Sequence, residues 1–258
     1  MTTKRTILSE KELDLVENLI SEYGVVIDFE QIFAQLKGKL GRQATRNLVS
    51  KLVENGWLVR IKKGTYYITT LESRGVANIS EFIIAQILEK DSYISFESAL
   101  QYYKIFDQYI QTITSISLKQ KKDKEIQGIK YNFIKTNEKN YSGWKEVQVE
   151  NKLVKMATLE KAILDMLAFR RTVHSIDLVL EKMREYKNDF DWDRLNELSR
   201  NQSVTVQRIL GFLLDKIEID SEYLHKLVEK NKGRSSRMTN DSKLFDAKWR
   251  LYYHNHFK

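Results

Sequence analysis

The chain has 258 residues, 42% hydrophobic and 30% charged, with a net charge of +8 and neither cysteine nor proline. That is enough apolar sequence for a sizeable core in about two domains, and it excludes disulfides, cysteine nucleophiles and cysteine-ligated zinc. No apolar run approaches the roughly 18 residues of a membrane-spanning helix, and the opening residues lack a secretory leader's apolar core, so a cytoplasmic protein with no membrane partner is expected.

The charge is unevenly placed. Residues 1–30 carry three basic side chains, Lys4, Arg5 and Lys11, against seven acidic ones, whereas residues 31–70 carry eight basic ones against Glu54 alone. So sharp a change of sign points to a surface that meets a polyanion.

Ser9, with Glu12 three residues on, has capping-box spacing and predicts a first helix with Leu13, Val16, Leu19 and Ile20 on its apolar side. Gly24 ends it. Asp28 caps a second helix that buries Phe29, Ile32, Phe33 and Leu36 and stops at Gly38. A third helix is predicted over about Arg42 to Asn55, its apolar side being Ala44, Leu48, Val49, Leu52 and Val53. Arg42, Gln43, Arg46, Asn47, Ser50 and Lys51 fall on the other side. Two β-rich stretches, Trp57–Ile61 and Thr65–Thr69, flank Lys62-Lys63-Gly64 and read as a hairpin. Three helices and a hairpin with a basic tip form the winged helix-turn-helix order, in which the third helix enters a DNA major groove and the wing lies along the backbone. On that reading Arg42, Gln43, Arg46 and Asn47 face base edges, and Lys39, Lys51, Arg60, Lys62 and Lys63 face phosphates.

The polar stretch from Leu71 to Asn78 sets the expected boundary: a DNA-binding domain over 1–72 and a larger mixed domain over 73–258, an α+β chain overall. In the second part, helices are predicted over Ile79–Lys90 and through Ala99 to Tyr103, after Tyr93–Phe96. Gln111–Leu118 reads as a strand with Ile126–Ile134 as its partner. Lys119, Lys121, Lys122 and Lys124 between them read as a solvated loop. From Met156 the pattern is helical, with further helices over Ile176–Met183, Trp192–Leu198, Val206–Ile217 and Tyr223–Val228. Lys230, Lys232, Arg234 and Arg237 form a basic run without an acid. Leu244–Tyr253 fits either a strand or a last helix.

No catalytic constellation emerges. His254-Asn255-His256 lacks the separation of a nuclease motif, and Asp191 or Asp193 reads as a helix cap rather than a metal ligand. No glycine-rich phosphate loop occurs. Glu160 and Lys161 read as a structural or interface pair, and Arg208 as the partner of an inner carboxylate. The chain is therefore expected to be non-enzymatic, without cofactor or metal.

Four stretches resemble AbiEi-type antitoxins of type IV toxin–antitoxin systems. They are the wing, Gly56-Trp57-Leu58 through Arg60, Gly64 and Tyr66; Tyr93–Leu100, read Y-x-S-F-x-S-A-L; Thr158–Asp165, containing E-K-A-x-x-D; and Gln207–Leu214, read R-x-L-G-y-L-L. The resemblance implies an autorepressor whose winged helix binds promoter inverted repeats in double-stranded DNA. It also implies a C-terminal domain that neutralises a co-encoded nucleotidyltransferase-like toxin, often without a stable complex. The main alternative is a winged-helix regulator whose C-terminal domain binds a small effector, and a third reading is a nucleic-acid-processing enzyme with the winged helix as targeting module.

Overall fold

The computed structural model describes residues 7–231 and 233–258. Lys4, Arg5 and Lys232 of the charge pattern lie outside them. The chain is α+β, with ten α-helices and three sheets among the described residues. It divides into two compact units, Met1–Leu88 and Glu89–Lys258. None of its described helices is long and apolar enough to cross a membrane.

The first unit runs α1 (Glu10–Tyr23), β1 (Val26–Asp28), α2 (Phe29–Gln35), α3 (Arg42–Glu54), β2 (Leu58–Lys62), β3 (Thr65–Ile68) and α4 (Glu81–Leu88). The capping box forms, with Ser9 N and Oγ donating to Glu12 Oε2 at 2.9 and 2.8 Å. Asp28 caps α2 in the same way, its Oδ1 taking Gln31 N at 2.9 Å while its own N reaches Gln31 Oε1 at 2.8 Å. The core gathers Leu15, Val16, Leu19, Ile27, Ile32, Val49, Leu52, Trp57, Leu58, Tyr66 and Ile68.

Several core assignments shift. Leu13 and Ile20 are 46% and 40% exposed; the stripe that wins on α1 is 12-15-16-19, which puts Glu12 on the inner face. On α3, Ala44 is exposed and Thr45 is buried in its place, its Oγ1 donating to Gly41 O at 3.2 Å. The second helix ends at Gln35, before Gly38. The hairpin forms as expected around Gly64, whose φ of 79° only glycine adopts readily. A third strand was not legible: β1 pairs antiparallel with β3, giving the order β1-β3-β2.

The expected boundary at 72/73 also moves, to 88/89. The polar stretch is not a linker but a strap. Arg74 donates from Nε and Nη2 to Asn55 O at 3.0 Å, and its guanidinium lies 4.4 Å from the Trp57 ring centre. Gly75 N donates to Gly56 O at 2.9 Å, and Tyr67 Oη donates to Asn78 O at 3.0 Å. A side chain at Gly56 would meet the Gly75 backbone at 3.3 Å. Helix α4 then packs on β2.

The second unit holds a six-stranded mixed sheet, ordered β6-β7-β5-β4-β9-β8. Its strands are β4 (Ser92–Ile94), β5 (Thr112–Ser117), β6 (Lys124–Ile126), β7 (Ile129–Lys135), β8 (Trp144–Val149) and β9 (Lys152–Ala157). β5 and β7 do pair, but in parallel, with β6 returning as a hairpin partner of β7. The β8–β9 hairpin had no counterpart in the sequence reading, and Met156 belongs to β9 rather than to a helix face. Helices α5 (Phe96–Tyr102), α6 (Leu159–Phe169), α7 (Val173–Glu185), α8 (Trp192–Ser199), α9 (Val204–Lys216) and α10 (Glu222–Glu229) follow the expected order. The ambiguous stretch 244–253 supplies two strands, β11 (Leu244–Asp246) and β12 (Leu251–Tyr253), in a small sheet with β10 (Ser236–Arg237).

Helix α6 packs against α5, α7, α8 and α9, and every residue from Glu160 to Leu167 is buried. Its polar side chains therefore need internal partners. Lys161 Nζ donates to Asp165 Oδ1 at 2.7 Å, while Ser95 Oγ and Tyr93 Oη donate to Asp165 Oδ2 at 2.7 and 3.1 Å. Glu160 does not pair with Lys161; its Oε1 accepts from Asp191 N at 3.0 Å. Asp191 is a cap, taking Arg194 N at 2.9 Å.

Helix α9 is anchored in a similar way. Arg208 finds no inner carboxylate: it donates to the carbonyls of Arg234 at 2.6 Å and Asn231 at 2.9 Å, and to Ser236 Oγ at 3.0 Å. Burial and the nearby Arg250 charge pull its pKa below the ordinary guanidinium value. One turn further, the Trp249 ring lies against Gly211, where an added Cβ would sit 2.1 Å from the ring. Gly211→Ala should therefore destabilise the fold by about 1–3 kcal/mol or more, because the ring has to leave its place. Gly41→Ala, with open space around it, is the control. Denaturant unfolding of both variants measures the difference, and equal midpoints would refute the Gly211–Trp249 packing.

Candidate nucleic-acid interface

The exposed face of the first unit is set by α3 and the β2–β3 hairpin. The hairpin is fixed at two places: β1 pairs along β3, and Phe29 N, the first amide of α2, donates to Gly64 O at 2.8 Å. A groove of about 790 Å³ results, lined by Phe29, Glu30, Arg42, Arg46, Val49, Ser50, Arg60, Lys63, Gly64 and Tyr66. It brings four cationic side chains together over two aromatic rings, with Glu30 as the single carboxylate among its described lining residues.

All six residues expected on the outer side of α3 are exposed. Gln43 Nε2 donates to Asn47 Oδ1 at 3.1 Å, and Arg46 Nη1 donates to Gln43 Oε1 at 3.2 Å. These three form one chain of polar tips along the helix. Arg60 lies 5.7 Å from the Tyr66 ring centre, and Arg46 5.9 Å from that of Phe29. Arg46, Arg60, Lys63 and Lys39 have no salt bridge to any described residue.

The other three expected cations are already engaged. Arg42 pairs with Glu30 through both Nη atoms, and its guanidinium lies 5.4 Å from both the Phe29 and Phe33 ring centres. Those phenyl rings, expected in the core, are only half-buried and stack with 6.4 Å between centroids. Lys62 Nζ donates to Ile87 O at the end of α4, so the two wing lysines are not equivalent. Lys51 Nζ donates to Glu12 Oε1 at 2.8 Å across to α1. Lys51 thus fastens α3 to α1 rather than offering an uncommitted charge.

The sequence reading missed Glu30, Phe29 and Tyr66 as groove residues. Helical periodicity assigns Phe29 to the core, Tyr66 belongs to the core while also lining the groove, and nothing local signals that Glu30 stands opposite Arg42. Elsewhere among the described residues, no group of three or more His, Asp or Glu side chains is placed to hold a metal ion. His256 Nε2 lies 2.7 Å from Asp177 Oδ1, a surface pair on the second unit that accounts for one histidine of the His-Asn-His triplet.

The Glu12–Lys51 link has a pH signature. The bond from Lys51, with those from Ser9, lowers the Glu12 pKa from 4.5 to about 2. A depressed carboxylate stabilises the folded state above its ordinary value, and that stabilisation disappears as pH falls from about 4.5 through about 2. Glu12→Gln should lower stability at pH 7 by on the order of 1–2 kcal/mol, with screening at the exposed lysine allowed for. It should also flatten the acid limb in that window, which unfolding curves at several pH values would show. A variant with an unaltered acid limb would remove Glu12 as its source.

No protein-family model and no curated protein sequence matches the chain. The crystal structure of the Rv2827c protein from Mycobacterium tuberculosis is similar, with a TM-score of 0.67 at 14% sequence identity, over 97% of this chain and 93% of that one. At that identity the likeness is one of fold, and it spans both units.

Proposed function

We propose that the first unit is a winged helix-turn-helix domain that binds double-stranded DNA, and that the chain is an AbiEi-type transcriptional autorepressor and antitoxin. The observation that carries the DNA reading is the groove between α3 and the hairpin, where Arg46, Arg60 and Lys63 stand beside Phe29 and Tyr66. Helix order, hairpin and charge agree: α3 enters the major groove, Gln43, Arg46 and Asn47 meet base edges, and Lys63, Arg60 and Lys39 meet phosphates. The antitoxin role rests on the four sequence stretches that resemble the AbiEi family, and its partner is a co-encoded nucleotidyltransferase-like toxin.

The phosphate and base roles separate by salt. Lys63→Ala should flatten the log–log salt dependence of DNA affinity by up to about 0.9, with the preferred sequence unchanged. Lys51→Ala and Lys62→Ala should move it less, since both amines have partners inside the protein. Arg46→Ala should lose roughly 1–3 kcal/mol on the preferred site and relax one base position. Titrations on matched and scrambled duplexes at several salt concentrations test this, and an unchanged slope for Lys63→Ala would move the hairpin off the backbone.

Repression and neutralisation should separate as well. The full chain carrying Arg46→Ala and Lys63→Ala should fail to repress its promoter. It should still restore growth when the neighbouring toxin gene is driven from an unrelated promoter. Loss of rescue with folding intact would tie neutralisation to the DNA-binding face.

A second reading has one observation in its favour. The second unit has a small cleft of about 260 Å³ lined by Arg208, His225, Glu229, Lys248, Trp249 and Arg250 among others, in which three cations outnumber one carboxylate, a balance that favours a small anion. A rise in melting temperature with a small phosphate or carboxylate ligand, lost in Arg250→Ala, would favour it.

A further inference from the structure

Glu30 is out of place in a groove built for a polyanion. The exposed cations of α3 and the hairpin favour phosphate, and a carboxylate among them opposes it by like-charge repulsion. Specificity, however, is a difference of affinities, and an element that weakens every wrong complex serves it. The contacts of Glu30 are therefore informative. Its two oxygens accept from Nη1 and Nη2 of Arg42, end-on to the guanidinium. The same guanidinium lies 5.4 Å from the centres of two phenyl rings that stack with an interplanar angle of 3°. One carboxylate and two rings thus hold the head of an exposed arginine at the N-terminus of α3. Of the five donors of a guanidinium, the fork to Glu30 uses two, and the Nε side remains unspent.

Resting on the DNA-binding reading above, we propose that Glu30 is a positioning residue that sets sequence discrimination: it presents the Nε edge of Arg42 to a guanine while cancelling the charge by which Arg42 would grip any phosphate. The N7 and O6 acceptors of guanine suit an arginine edge held in one plane. A free arginine would lose rotamer freedom to reach them and would equally find a phosphate of any sequence. The Glu30–Arg42 pair is exposed on both sides, 63% and 49%, so its worth to folding is small and its effect on recognition can be read without unfolding the domain.

Glu30→Gln in the full chain tests this, on duplexes selected from a random pool by the unaltered protein and on scrambled ones. Affinity for scrambled DNA should rise about two- to fivefold, the worth of one exposed ion pair, and the salt slope should steepen by up to about 0.9. Affinity for the selected duplex should not rise with it, and selection repeated with the variant should lose its preference at one G·C position. Glu30→Asp should recover part of that preference. If the variant binds scrambled DNA with wild-type affinity and slope, the proposal is wrong. If both duplexes gain equally with the selected motif intact, Glu30 acts by repulsion alone and the positioning role falls. If the unaltered protein binds no duplex in a salt-dependent way, the DNA reading itself fails and Glu30 loses its role with it, a result distinct from the other two.

Discussion

A carboxylate removed from water has to be met by donors, and Asp165 is met by three. Lys161 from its own helix and Ser95 and Tyr93 from β4 and its end converge on its two oxygens, with all four residues buried. Burial raises the pKa of Asp165 and drives that of Tyr93 well above its ordinary value, so the phenol stays protonated as a donor. Removing one partner from a buried ion pair costs about 3–5 kcal/mol, a large share of the roughly 5–15 kcal/mol that keeps a domain folded. The arrangement fixes α6 against β4, and Glu160, one residue from Lys161, fixes the start of α8 through Asp191 N. The placement of the second unit's layers thus follows from three polar residues on a helix that has no solvent face. Asp215 on α9 repeats the device in a shallower site. Burial acts to raise its pKa, but Lys248, Ser221 and Trp249 donate to it and hold it below the ordinary value.

These interior polar residues are also the ones that stand in the family-like stretches. Tyr93, Ser95, Lys161, Asp165, Arg208 and Gly211 all do packing work, and none of them faces solvent. In the second unit those stretches therefore serve the architecture of this chain. Fold alone assigns no chemistry. The groove on which the proposed DNA binding rests is built from other residues, on α3 and the hairpin, and has to be judged by its own charges and shape.

Most helices and the first hairpin were legible, because caps and periodicity are local. Ser9 with Glu12, Asp28 with Gln31 and Asp191 with Arg194 form within one turn of chain, and their spacing alone gives them away. What escaped depends on distant partners. β1 is three residues long and becomes a strand only against β3. The β8–β9 hairpin mixes charged and apolar residues because β8 is an edge strand, with one face partly in water. The strap at 70–78 looks like a linker by composition, but Arg74 on Trp57 and the Gly56–Gly75 approach tie it back by contacts some 19 residues apart. In the candidate site, exposure along α3 was readable from its period, whereas the partners of Arg42, Lys51 and Lys62 were not.

Those partners change what the charge asymmetry means. The first 30 residues are acidic and the next 40 basic, but the two stretches fold onto each other: Glu12 takes Lys51 and Glu30 takes Arg42. The acids of the first segment neutralise selected cations of the second, and a main-chain carbonyl at the end of α4 takes Lys62. The excess read along the sequence is larger than the excess presented at the surface. Arg46, Arg60 and Lys63 remain in the groove, with Lys39 between α2 and α3. The cations left without an acid are thus concentrated where a duplex lying against α3 would pass, while those with partners tie α3 and the hairpin to the rest of the unit. Charge in this domain is divided: Lys51 and Lys62 hold α3 and the hairpin to the rest of the unit, and Arg46, Arg60 and Lys63 leave the groove with its positive charge.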